Sequence, residues 1–90
     1  MITPRNIARH ELVGLNGRVV DSSDPSLVGI EGRVFEETAN TLTFVVEDGD
    51  EKTVPKKNAV FEFELPDAGT TVRVEGEAVH ARPAERVRGV

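Results

Sequence analysis

The sequence predicts a mainly β fold: an antiparallel barrel or small sandwich of about six strands, with a short N-terminal helix and a short C-terminal helix or tail. Three observations carry this. Short runs of alternating apolar and polar residues recur at spacings of roughly ten residues. Strong turn sequences separate them: SSDPS, AN, DGDE, PKKN and PDAG. Gly17, Gly32 and Gly76 fall inside strand patterns, where small barrels bend sharply.

Thr3-Pro4 reads as an N-cap followed by proline at the first helical position. A short helix is expected from there to about Leu12, with Ile7 and Leu12 on one side and Gly14 as its stop. The first strand is expected over 16–21. The second spans 27–37, with Val28, Ile30 and Val34 on one face and Glu31, Arg33 and Phe35 on the other. The third spans 41–47, with Leu42, Phe44 and Val46 inward. Asp-Gly at 48–49 signals a hairpin into a short fourth strand, 52–54. The fifth covers 59–65, with Phe61, Phe63 and Leu65 inward and Glu62 and Glu64 outward. The sixth covers 71–80, with Val72 and Val74 inward, and Arg82-Pro83 ends it. The organisation expected is an N-terminal helical extension at 1–13, a barrel at 14–81 and a basic extension at 82–90. Phe35 and Val45 are expected to point outward, as cover for the N-terminal helix or as part of a protein interface.

At 90 residues the chain is one domain, and a domain this small has a thin stability margin. It has no cysteine, so neither a disulfide framework nor a thiolate metal site is available, which fits a reducing compartment. No apolar run reaches the ~20 residues that span a bilayer, and the N-terminus lacks the apolar stretch of a signal peptide. The expectation is a soluble, cytoplasmic protein.

The net charge of -5 argues against a freestanding, nonspecific nucleic-acid binder. The distribution is more informative. Ten of the 16 acidic residues lie between Glu31 and Asp67, whereas Arg5 and Arg9 precede the first acid and Arg82, Arg86 and Arg88 surround Glu85. Eight arginines and three lysines make up the 11 basic residues, a balance that resembles proteins of salt-rich cytoplasms. Two of those lysines, Lys56 and Lys57, sit side by side in one turn.

No catalytic constellation is legible. His10 and His80 are seventy residues apart in sequence, and a metal site needs several converging ligands. There is no G-x-S-x-G, and the glycines of G-I-E-G precede no helix, so they form no phosphate loop. Glu62 and Glu64, two apart on one strand face, read as an exposed face alternating with phenylalanines. Catalytic and metal-ligating residues are therefore expected to be none. Binding is what remains. Lys56 and Lys57 read either as a solvated turn or as part of a positive surface shared with the chain ends, since a barrel can end near where it began.

Several segments together carry a family likeness: HELVGLNGRVV, DPSLVGIEGRVFEETANTLTF, KTVPKKNAVFEFELP and VRVEGEAVHARPAERV. They cover about His10 to Arg88, and PSLVGIEG, ETANTL and VPKKNAVFEFELP are the distinctive parts. This pattern resembles archaeal ribonuclease P protein component 1, the counterpart of a eukaryotic ribonuclease P subunit. The resemblance implies an Sm-like or SH3-like barrel with helical extensions. It implies a noncatalytic subunit of a ribonucleoprotein that removes 5′ leaders from precursor tRNA, in which the catalytic component is RNA using Mg²⁺ and this chain holds no cofactor. The partners implied are the ribonuclease P RNA, a zinc-ribbon protein subunit and, in the assembled complex, precursor tRNA, with no membrane. The RNA-binding residues implied are Lys56, Lys57, Arg82, Arg86, Arg88 and Arg33. The partner-binding residues implied, on the N-terminal helix, are Pro4, Ile7, His10 and Leu12. In a salt-rich cytoplasm the Debye length shrinks to about 3 Å near 1 M, so RNA contacts there would be short-range arginine–phosphate bonds. Two readings compete: an adaptor barrel that binds protein only, and a ring-forming RNA chaperone. Rings need free edge strands and single-strand binding needs exposed aromatics, which four phenylalanines supply poorly.

Overall fold

The computed structural model describes residues 12–65 and 69–79. Six strands form one antiparallel sheet: β1 (Asn16–Ser22), β2 (Glu31–Glu37), β3 (Thr41–Val45), β4 (Glu51–Pro55), β5 (Ala59–Leu65) and β6 (Thr70–Glu75). The strand order is β4-β3-β2-β1-β5-β6. β4 and β6 therefore lie at opposite edges of the sheet. Yet Lys56, directly after β4, donates to the carbonyl of Val79, just beyond β6, at 2.8 Å. The edges meet because the sheet curls, giving the barrel-like, mainly β architecture expected.

The alternation that predicts each strand also fills the interior. β5 buries Ala59, Phe61, Phe63 and Leu65 and turns Val60, Glu62 and Glu64 the other way. Phe44, Phe61 and Phe63 stack in a row, with ring centroids 6.1 and 5.9 Å apart, a favourable offset spacing. Leu12, Leu15, Val19, Val34, Leu42, Val54, Val74 and Val79 complete the core. Leu12 is fully buried. Two of the glycines expected within strands, Gly17 and Gly32, are in strands, and Gly76 begins the 3-10 helix after β6; a Cβ would meet the Phe63 ring at Gly17, the Val45 carbonyl at Gly32 and the Lys56 carbonyl at Gly76.

Three strand boundaries differ from expectation by two residues or more. β3 ends at Val45, so Val46, expected inward, lies beyond the strand and is half-buried. β2 starts at Glu31, because Pro25–Leu27 is a 3-10 turn capped by Asp24. Val28 consequently faces solvent instead of joining Val34 inside. The sixth strand stops at Glu75, where Gly76–Val79 turns into a 3-10 helix. The N-terminal helix, the end of the predicted sixth strand at His80 and the 82–90 extension lie outside the described residues.

The Asp24 cap makes a pH-dependent contribution. Its carboxylate accepts from the Ser26 hydroxyl at 2.7 Å and the Ser26 amide at 3.0 Å. These bonds, the hydroxyl first, lower its pKa below the ordinary 3.8. A depressed carboxylate pKa stabilises the fold above the unfolded value and loses that contribution as pH falls through the folded one. A carboxyl-carbon NMR titration should place the Asp24 midpoint below 3.8, and Ser26→Ala should move it upward.

Candidate nucleic-acid interface at the closed end of the barrel

The residue that closes the barrel is Lys56. Val54 faces inward, Pro55 outward, and Lys56 is the next inward position. Its side chain is fully buried. The ammonium donates to Glu37 Oε2 at 2.8 Å, the Thr38 carbonyl at 2.7 Å and the Val79 carbonyl at 2.8 Å. An ammonium has three donors, and two chain segments supply these acceptors: the β2–β3 corner with Glu37 and Thr38, and the end of the 3-10 helix with Val79.

Glu37 reaches the interior through a β-bulge. The β2–β3 register shifts between Val34 and Glu36. An extra residue in one strand reverses its facing, so after inward Val34 both Phe35 and Glu36 are exposed and Glu37 turns in. Its side chain is 1% exposed. While one oxygen takes the Lys56 ammonium, Oε1 accepts from the Leu12 amide at 3.1 Å. One buried ion pair thus gathers the start of the described chain, the β2–β3 corner, the β4–β5 turn and the residue at which the 3-10 helix ends. Segments 1–11 and 80–90 attach to the barrel at this same point.

This placement corrects two expectations. Lys56 was expected among the RNA-binding residues, but its ammonium is enclosed and committed to protein acceptors, so no phosphate can reach it in the folded barrel. Leu12 was expected to contact a partner, but its side chain is core. Lys57, the next residue, is exposed on the same turn, which Asn58 closes with a left-handed φ of 61°. Pro4, Ile7, His10, Arg82, Arg86 and Arg88 lie outside the described residues.

The outer face of the sheet has the opposite character. A groove of about 680 Å³ runs past Arg18, Glu31, Arg33, Glu47, Glu62 and Glu64. Arg18 Nη2 bonds Glu62 Oε1 at 2.7 Å. That hydrogen bond, then the charges of Glu62 and Glu31, raise the Arg18 pKa. Arg33 is exposed, but an anion approaching it meets four glutamates. Among the described residues, no three His, Cys, Asp or Glu side chains gather as metal ligands, and no helix is long and apolar enough to cross a membrane.

Comparison with known proteins fits this architecture. Residues 5–89 match the family model described as ribonuclease P/MRP, subunit p29. The chain belongs to that family. It is 52% identical over 88 residues to ribonuclease P protein component 1 of Methanothermobacter thermautotrophicus, covering 98% of this chain and 94% of that one. The protein of the same name from Methanocaldococcus jannaschii is 47% identical over 88 residues, covering 98% and 90%. Among solved structures, one described as Mth11, a homologue of the human RNase P protein Rpp29, aligns with a TM-score of 0.63 at 49% identity. It covers 86% of this chain and 97% of that one. The closed end of the barrel and the acidic groove are therefore features of a member of the ribonuclease P/MRP p29 family.

Proposed function

We propose that this chain is a noncatalytic ribonuclease P subunit that binds the catalytic RNA at the closed end of its barrel and supports 5′-leader removal from precursor tRNA. The observation that carries this is polarity. The buried Glu37–Lys56 pair brings the attachment points of both arginine-bearing ends to the turn that displays Lys57, whereas the outer groove carries four glutamates that repel phosphate. Lys57, Arg82, Arg86 and Arg88 are the proposed phosphate contacts; Lys56 and Arg33 are not. Mg²⁺ chemistry belongs to the RNA in this reading. The N-terminal segment with Pro4, Ile7 and His10 is proposed to meet a zinc-ribbon subunit, and the complex to work in the cytoplasm.

The test is a salt titration of RNA binding and precursor-tRNA cleavage with the reconstituted complex. Each phosphate contact contributes about 0.7–0.9 to the slope of log K against log salt. Lys57→Glu/Arg82→Glu/Arg86→Glu should shallow that slope by about 2 or more and weaken binding at every salt concentration. An unchanged slope with unchanged cleavage would exclude these residues as RNA contacts. Capture of protein without RNA would favour the adaptor, and capture of many short single strands the chaperone.

A further inference from the structure

β6 is a sheet edge that carries none of the usual protection. It pairs with β5 residue by residue, from Leu65 opposite Thr70 to Val60 opposite Glu75, with no shift in register. No strand pairs with its other side. Every second residue of an edge strand turns its N–H and C=O away from its neighbour. Among the described residues, no backbone group bonds 71–75 from that side. The edge runs as far as Gly76, where the β4–β5 turn closes on the chain. The opposite edge is different. β4 carries Lys52 and ends in Pro55, which has no N–H, and lysine and proline keep an edge from being extended. β6 has neither.

The side chains along this edge define what fits it. Opposite residues of an antiparallel pair share a face, so Glu64 with Thr71, Glu62 with Arg73 and Val60 with Glu75 lie on the outer side. Val72 and Val74 pack toward the core. Next to Thr71 is a pocket of about 360 Å³, lined in part by Leu15, Asn16, Glu64 and Thr71. The matching strand continues Val72 and Val74 inward with β-branched apolar residues. Outward it places a cation opposite Glu75, an acid or hydroxyl opposite Arg73, and a lysine or arginine toward Glu64 at the pocket. An RNA strand offers no row of alternating N–H and C=O groups, and Glu62, Glu64 and Glu75 repel its phosphates. A second copy of this chain fits less well, because complete overlap of 71–75 with itself would set Arg73 against Arg73, and like charges directly opposite are destabilising.

We propose that the β6 edge is a docking site for an extended segment of a partner protein, which adds to the sheet antiparallel to β6 as a seventh strand. Main-chain hydrogen bonds along 71–75 supply the affinity, and the alternating side chains supply the selectivity. The inference goes beyond the RNA-binding reading, since it concerns a protein partner and residues of the barrel itself.

Amide hydrogen exchange of the full chain, read at 71–75, tests it. In the free chain the outward N–H groups of β6 should exchange fast and those bonded to β5 slowly, a period-two pattern. With the other ribonuclease P protein subunits added and RNA left out, the outward amides should slow by about tenfold or more. Ribonuclease P RNA alone should leave them unchanged. Val72→Pro and Arg73→Pro give a second readout. Neighbouring residues point their N–H groups to opposite sides, so one proline breaks the β5 ladder and the other removes only an outward donor, which an edge strand tolerates. The variant that keeps the wild-type melt should bind the protein subunits about tenfold more weakly.

Fast exchange of every outward amide in the protein complex overturns the inference and leaves the functional reading standing, as does protection by RNA alone. Slow exchange throughout β6 in the dilute free chain means that the chain covers its own edge, and protection that grows with its concentration assigns the edge to a second copy; each overturns the inference. A proline variant that keeps both the wild-type melt and wild-type binding overturns it too. A chain that joins neither the protein subunits nor the RNA overturns the functional reading and this inference together.

Discussion

Gly76→Ala is expected to unfold or nearly unfold the barrel, at a cost of about 3 kcal/mol or more. The new Cβ would overlap the Lys56 carbonyl oxygen and lie 2.6 Å from its carbon and 3.1 Å from the Ala59 carbonyl oxygen. All three are backbone atoms, so no side chain can swing aside. Those atoms belong to the turn held by the buried ammonium, and moving the turn would pull Lys56 from Glu37, Thr38 and Val79. For a domain of this size, 3 kcal/mol lowers the melting temperature by more than about 10 °C. A thermal melt followed by circular dichroism measures it. Gly49→Ala is the comparison. Gly49 has a φ of 91° and nothing within 4 Å, so alanine there adds backbone strain of about 1–2 kcal/mol and no collision. If Gly76→Ala melts no lower than Gly49→Ala, the contact between the β4–β5 turn and the end of β6 is not a rigid part of the barrel.

Much of the sheet is legible where a strand keeps its alternation. β5 is the clearest case: Phe61, Phe63 and Leu65 were placed inside from their spacing alone, and all are buried. The same rule explains the misses. Reading residues 27–37 as one strand put Val28 in phase with Val34, but Asp24-Pro25 starts a 3-10 turn, and the turn breaks the phase. Continuing the even-numbered face of β2 inward would bury Glu36, whereas the bulge at Phe35 buries Glu37. No local sequence signal announces that bulge, which shows only in the register of β2 against β3. Lys56 was different. It lies two residues beyond inward Val54, across a proline that β4 accommodates opposite Thr41. Extending the alternation by one step would have turned Lys56 inward and left Lys57 outside. Paired lysines in a turn suggested one shared role, when the period-two geometry of a strand assigns neighbouring residues to opposite faces.

Lys56→Met is expected to cost about 3–5 kcal/mol, because it leaves the Glu37 carboxylate buried without its cation. Glu37→Gln alone should cost a comparable amount, because the ammonium stays buried without its counter-charge and one amide oxygen cannot accept from both the ammonium and the Leu12 amide. The double variant Glu37→Gln/Lys56→Met should cost less than the two singles added together, by about 2 kcal/mol, because a neutral side chain then faces a neutral one. It should not return to wild type. The carbonyls of Thr38 and Val79 each accept an ammonium N–H at 2.7–2.8 Å, and methionine offers them no donor. Each buried acceptor left open costs about 1–3 kcal/mol. Urea melts of the four proteins measure the cycle, and strictly additive costs would mean that Glu37 and Lys56 are not energetically joined. Lysine is suited to this position by its shape as well as its charge. Its acceptors are a carboxylate and two carbonyls converging on one point from two segments, which matches the three donors of a compact ammonium. The planar fork of arginine presents its donors in one plane to acceptors side by side. Lys56→Arg should therefore fail to restore the melting temperature although it keeps the charge.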